Sequence, residues 1–101
     1  MPYQEPEQLV NKALSAGANV LVTVTTAVIR LAAANHNRQQ IFIHNESLTR
    51  TIYMARTSAV TGATGIPIPP GATYIDTVWR GDIFAIMATA TAIARIMEDI
   101  T

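Results

Sequence analysis

Hydrophobic and polar positions alternate with a period of two along most of the chain after Gly17, the spacing of β-strands with one face turned to a core. From Ala18 to Thr26, Val20, Val22 and Val24 fall on one side and Leu21, Thr23 and Thr25 on the other. Val28, Arg30 and Ala32 against Ile29, Leu31 and Ala33 predict a second strand, weaker because Ala is a poor strand former. Leu31 to Asn45 then joins a small-residue run, a polar turn at Asn35 to Arg38 and a strand from Gln39 to Asn45. Ile41 and Ile43 point one way in that strand, and Phe42 and His44 the other. Glu46 to Thr51 reads as a polar hairpin loop, with Thr51 to Arg56 returning as a strand in which Ile52 and Met54 oppose Tyr53 and Ala55.

Thr57 to Gly65 is a Ser, Ala, Thr and Gly loop. Pro67 and Pro69 cannot donate to a ladder, so Gly65 to Gly71 predicts an edge strand or extended segment closed by a Pro70-Gly71 turn. Thr73 to Val78 alternates again, and Trp79-Arg80-Gly81-Asp82 forms a tight turn in which Gly81 is expected to supply a positive φ. Ile83 to Ala88 is apolar on both faces, so it is either central to the sandwich or meets another subunit. Ala92 to Glu98 closes the series, leaving an acidic tip at Glu98 and Asp99; its Ala content also suits a helix, but the alternation ranks the strand higher. Eight short strands with turn chemistry between them predict an all-β fold, an antiparallel β-sandwich of jelly-roll-like form, over residues 18–101. Residues 1–17 form an N-terminal arm, polar at first, with Leu9, Val10, Ala13 and Leu14 at the spacing of a short helix that Gly17 would end.

Composition sharpens this picture. Half the residues are hydrophobic and 14% are charged, against roughly 25% in an ordinary soluble domain, which leaves little material for a repelling surface and points to burial in an assembly. Formal charge is zero, and six of the seven basic residues are Arg, the cation favoured where protein surfaces meet. That balance argues against duplex nucleic acid as a partner. The first residues resemble no secretory signal, and no apolar run reaches the length of a membrane span, so no membrane role is expected.

Catalytic chemistry finds no motif. His36 and His44 lack companions at metal-ligand spacing, and with no Cys there is no thiolate site. Asp76 and Asp82 flank Trp79, but turn capping by Asp82 and a surface ion pair for Asp76 outweigh acid/base work. The Ser residues at 15, 47 and 58 sit in no nucleophile elbow, and Gly62 to Gly65 lacks the ending of a phosphate loop. Arg80-Gly81-Asp82 matches an adhesion tripeptide too short to weigh against a turn. Trp79 is equally a lid on the core or an interface anchor. An enzyme is not expected, nor a cofactor or metal.

The run Ala34-Asn35-His36-Asn37-Arg38 leading into Gln39 to Asn45 resembles a class of small tailed-bacteriophage virion proteins. The likeness continues through Ile52-Tyr53-Met54, Gly65 to Gly71, Trp79 to Ile86 and Ala94 to Glu98. His36 stands where those proteins often carry Pro, so this turn lacks a proline's rigidity. The resemblance implies a non-enzymatic virion structural protein, a capsid decoration or cement protein clamping the major capsid protein. Such a protein would be a homo-oligomer, a trimer by preference, made in the host cytoplasm and placed on the capsid exterior. The alternative is a glycan-binding sandwich of a tail or fibre. Contact residues expected on this reading are Tyr3, Leu9 and Val10 in the arm, Trp79 and Arg80 at the turn, and Arg50 and Arg56.

Overall fold

The computed structural model describes residues 15–101, and the expected helical face from Leu9 to Leu14 lies outside them. Eight strands follow in order: β1 (Ser15–Val24), β2 (Ile29–Ala32), β3 (Arg38–Asn45), β4 (Ile52–Ala55), β5 (Ile66–Ile68), β6 (Thr73–Asp76), β7 (Ile83–Ile86) and β8 (Ala92–Ile100). They form two four-stranded antiparallel sheets, β1-β8-β3-β6 and β2-β7-β4-β5. The pairs β1·β8, β2·β7, β3·β6 and β4·β5 are nested like one long hairpin. Rolling that hairpin brings β3 against β8 and β4 against β7, which is the jelly-roll arrangement.

All eight predicted strands are present. Ile41 and Ile43 on β3, Ile52 and Met54 on β4, and Ala94 and Ile96 on β8 are buried in alternation, whereas β2 buries the consecutive Leu31 and Ala32, which the alternation put on opposite sides. Both sheets feed one core, with Val24, Ile41, Ile43 and Ile96 from the first meeting Leu31, Ile52, Met54, Ile68 and Ile83 from the second. Each buried Ile or Leu contributes about 1.5–3 kcal/mol of transfer free energy. The two-faced apolar run resolves as β7, central in its sheet between β2 and β4. Pro67 sits on the edge strand β5, where a missing N–H costs no ladder bond.

Several details depart from the sequence reading. Glu46 to Thr51 is a crossing from one sheet to the other, not a hairpin, because β3 and β4 belong to different sheets. Among consecutive strands only β4 and β5 pair with each other. Gly17 lies inside β1, at an irregularity in its register with β8, where a Cβ would meet Glu98 Oε1 at 2.5 Å. Glu98 is no exposed tip: β8 runs on to Ile100 and the Glu98 side chain is buried. Arg38 opens β3 and is buried instead of standing in a solvated turn. The Pro70-Gly71 turn is as expected, closed by the Ala72 amide donating to Pro69 O at 3.0 Å, with Gly71 at φ +72°.

Candidate functional site

The two ends of β3 are each locked by a buried polar side chain. At the first, Arg38 Nε donates to Glu98 Oε2 at 2.6 Å, Nη1 to the carbonyls of Trp79 (3.1 Å) and Gly81 (2.9 Å), and Nη2 to Ala33 O at 2.7 Å. Glu98 Oε1 accepts the Ala18 amide at 3.1 Å, so the same carboxylate holds the irregular start of β1. Asn35 shapes the turn that delivers Arg38, its side-chain oxygen accepting the Asn37 amide at 3.0 Å and its carbonyl the Arg38 amide at 3.0 Å. That local bonding does the work a proline would do at position 36. At the far end, Asn45 donates to Arg50 O (2.7 Å) and Ile68 O (2.9 Å) and accepts the Ser47 amide at 2.9 Å. Asn45-Glu46-Ser47 has the form of a glycosylation acceptor, but both amide hydrogens of Asn45 are spent inside the fold.

The loop after β6 gathers three expected contact residues. Asp76 Oδ1 accepts the amides of Val78 (2.8 Å) and Trp79 (2.9 Å), which ends β6 two residues before the alternation suggested. Arg56 pairs with Asp76 Oδ2 at 3.1 Å and lies 4.9 Å over the Trp79 ring. Trp79 packs against the core and donates from Nε1 to Asp82 O at 2.8 Å, so it is a lid. Asp76 thus makes the ion pair expected of it, although its own side chain is buried, and it also takes the turn-capping role expected of Asp82, which instead accepts the Ala34 amide at 2.7 Å and faces Arg30 at 3.8 Å. Gly81 is required for a different reason than a positive φ, since the Trp79 ring fills the space a Cβ would need.

Burial pushes the Asp76 carboxyl up, but the amides of Trp79 and Val78 and the Arg56 guanidinium outweigh it and hold the group below its ordinary value. A depressed folded-state value stabilises the fold above the unfolded value of 3.8 and loses that contribution as pH falls through the folded one. Thermal melts of wild type and Asp76→Asn should therefore differ most above about pH 4 and converge in more acid solution. A gap that widens on acidification would contradict the assignment.

What these groups leave free includes several exposed apolar side chains on one sheet face. The outer face of the β1-β8-β3-β6 sheet carries Asn19, Met97, Phe42 and Ile75 in one row across all four strands, and Leu21, Arg95, His44 and Thr73 in the next. Leu21 is 57% and Ile75 54% exposed, and Met97 and Ile93 beside them are also exposed. Arg95 donates to Glu46 at 2.8 Å, a bond that holds the Glu46 carboxyl below its ordinary value. His44 Nδ1 lies 2.8 Å from Thr73 Oγ1. The other sheet is better covered: Val60, in the β4–β5 loop, is buried outside the core cluster, and both Val60 and Tyr53 flank Gly65.

No protein-family model matches the chain, and no curated protein does. A solved structure of a protein from the disulfide-linked pili of Bacillus endospore appendages is similar over 88% of each chain, with a TM-score of 0.50 and 19% identity. That likeness bears on the fold alone. Disulfide linkage, which belongs to that pilus, is not open to a sequence with no cysteine.

Of the expected contact residues, Arg56, Trp79 and Arg80 come together at one end of the sandwich, and Arg80 is exposed with Nη1 donating to Val78 O at 3.2 Å. Arg50 lies at the opposite end, beside a shallow recess of about 240 Å³ that also includes Thr49, Tyr53 and Thr89. Tyr3, Leu9 and Val10 lie outside the described residues. The four exposed residues of the open sheet face, Leu21, Ile75, Ile93 and Met97, were missing from that set. Their signal was apolar residues on both faces of β1 and β8, the same signal that marked β7. Among the described residues no three His, Asp or Glu side chains group as a metal site.

Proposed function

We propose that this protein is a non-enzymatic structural component that works by assembling, as a capsid decoration protein bound to a major capsid protein on the virion exterior. The observation that carries the assembling role is the outer face of the β1-β8-β3-β6 sheet, where Met97, Phe42 and Ile75 form an apolar row across three strands with Leu21 and Ile93 exposed beside it, in a chain with few charges to solvate it. The specific placement rests on the resemblance, whose motif residues have structural duties here: Asn35 forms the turn, Arg38 ties four segments together, and Asn45 joins the two sheets. Burial of such a face at about 25 cal/mol per Å² of apolar area, less the cost of association, supplies a clamp that repeats with the lattice.

A second reading, a subunit of a self-assembling fibre, is favoured by the fold shared with the pilus protein. The glycan-binding alternative draws less support, because Phe42, Tyr53, Tyr74, Trp79 and Phe84 are all half-buried and form no exposed platform among the described residues. Quantitative mass spectrometry of purified genome-filled heads separates these readings. A fixed copy number relative to the major capsid protein is the expected result. Absence from heads, with filaments formed by the purified chain under the electron microscope, would replace the capsid reading with the fibre one.

A further inference from the structure

We propose that the free edge of β1 is an interface and that its partner is the β1 strand of a second copy, paired antiparallel about a two-fold axis. The two sheets would then run on as one of eight strands. The inference goes beyond the reading above by naming the partner and the contact, and rests only on its element of self-association.

Among the described residues the four sheet edges are β1, β6, β2 and β5, and an exposed edge invites pairing unless something blunts it. Three are blunted. β5 is three residues long with Pro67 at its centre. β2 has four residues, an irregular register after Arg30, and that charge on its outer side. β6 has four residues and ends where Asp76 turns the chain inward.

β1 has neither their shortness nor a proline or a charge, and its register irregularity lies at its start, leaving Asn19 to Val24 in unbroken register with β8. It is ten residues long, and from Ser15 to Ile29 the chain contains neither a charged residue nor a proline. Val20 and Leu21, on opposite faces of the strand, are 47% and 57% exposed.

Two observations select the occupant. A ten-residue edge is matched along its length by another β1 and by none of the three- or four-residue edges of the same protein. An uncharged strand also opposes its own copy without the like-charge penalty that self-pairing imposes on most edges. Antiparallel pairing of identical strands sets Val, Leu and Thr against one another and carries the apolar outer band of each sheet across the two-fold. Such a contact closes at two copies, whereas the trimer expected from the resemblance would need a different, head-to-tail contact.

Light scattering coupled to size exclusion of the full-length protein, across a micromolar-to-millimolar dilution series, tests this alongside hydrogen exchange. The expected result is a dimer whose β1 amides become protected as it forms. Leu21→Lys with Thr23→Lys, both on the exposed outer side of β1, should weaken the dimer at least about tenfold while leaving the melting temperature of the monomer close to wild type. A trimer, a dimer indifferent to the two lysines, or a monomer at all concentrations would overturn the proposal. So would a monomer with protected β1 amides, which would mean that the chain's own residues 1–14 cover the edge. A dimer missing from purified heads would leave this contact standing and remove the capsid reading instead.

Discussion

Replacing Arg38 with Met is expected to cost about 3–5 kcal/mol, the usual penalty for removing one partner of a buried ion pair. In a domain of this size that corresponds to a fall in Tm of roughly 15–30 °C. The guanidinium is 1% exposed and makes four hydrogen bonds, one to a carboxylate and three to main-chain carbonyls. Its removal strands Glu98 as an unpaired buried charge and leaves the Trp79, Gly81 and Ala33 carbonyls without donors. Arg38→Lys keeps the charge but not the fork, so it should recover only part of the loss. Adding Glu98→Leu to Arg38→Met should restore some stability by removing the orphaned charge, though not the lost carbonyl bonds. Urea unfolding of the three variants checks this; an Arg38→Met loss below about 1 kcal/mol would mean that Glu98 reaches solvent in the folded protein.

Arg38 also marks where the sequence stops being legible. The strands themselves could be read because period-two alternation is a local property: Ile41 and Ile43 declare a buried face whatever lies across from them. The β5 edge could be read for a similar reason, since Pro67 excludes a central position by its own covalent structure. Pairing is different. Nothing in Asn45 to Thr51 states that β4 belongs to the other sheet, because a short polar connection serves a hairpin and a sheet crossing equally well.

Burial of polar side chains is hidden in the same way. Arg38 and Glu98 are sixty residues apart, and each alone has the composition of a solvated turn or tip. Only their convergence removes them from water. Capping of the Trp79 turn was expected from Asp82 and falls to Asp76 because both flank the same tryptophan at equal distance along the chain, and the choice between them depends on which carboxylate the fold holds against the Val78 and Trp79 amides. The open sheet face was visible in outline, as apolar residues on both sides of β1, but the row of Met97, Phe42 and Ile75, with Leu21 one row away on β1, exists only in the register of strands drawn from distant parts of the chain.

At the other end of β3, Asn45→Asp is expected to be nearly as damaging as loss of Arg38, although it changes one nitrogen to oxygen. Asn45 is fully buried, and its amide is the donor to Arg50 O and Ile68 O while its oxygen takes the Ser47 amide. A carboxylate keeps the Ser47 bond but sets a negative oxygen against two carbonyls, where each unsatisfied buried acceptor costs about 1–3 kcal/mol. A loss of about 3–5 kcal/mol follows near neutral pH, with charge burial adding to the two lost bonds. The pH dependence should run opposite to that of Asp76. A buried carboxyl facing carbonyl oxygens is held above its ordinary value, so its folded state favours the proton, and Asn45→Asp should be least destabilised in acid and progressively worse as pH rises through the unfolded value near 3.9. Asn45→Ala removes donor and acceptor together and should show a comparable loss without that slope. In both variants hydrogen exchange should quicken first in the Glu46 to Thr51 crossing and around Gly71, whose amide bonds Asn45 O at 3.1 Å, because Asn45 is what fastens these two connections to the end of the sandwich. If instead Asn45→Asp were as stable as wild type at neutral pH, the amide of Asn45 would not be the tie between the two sheets.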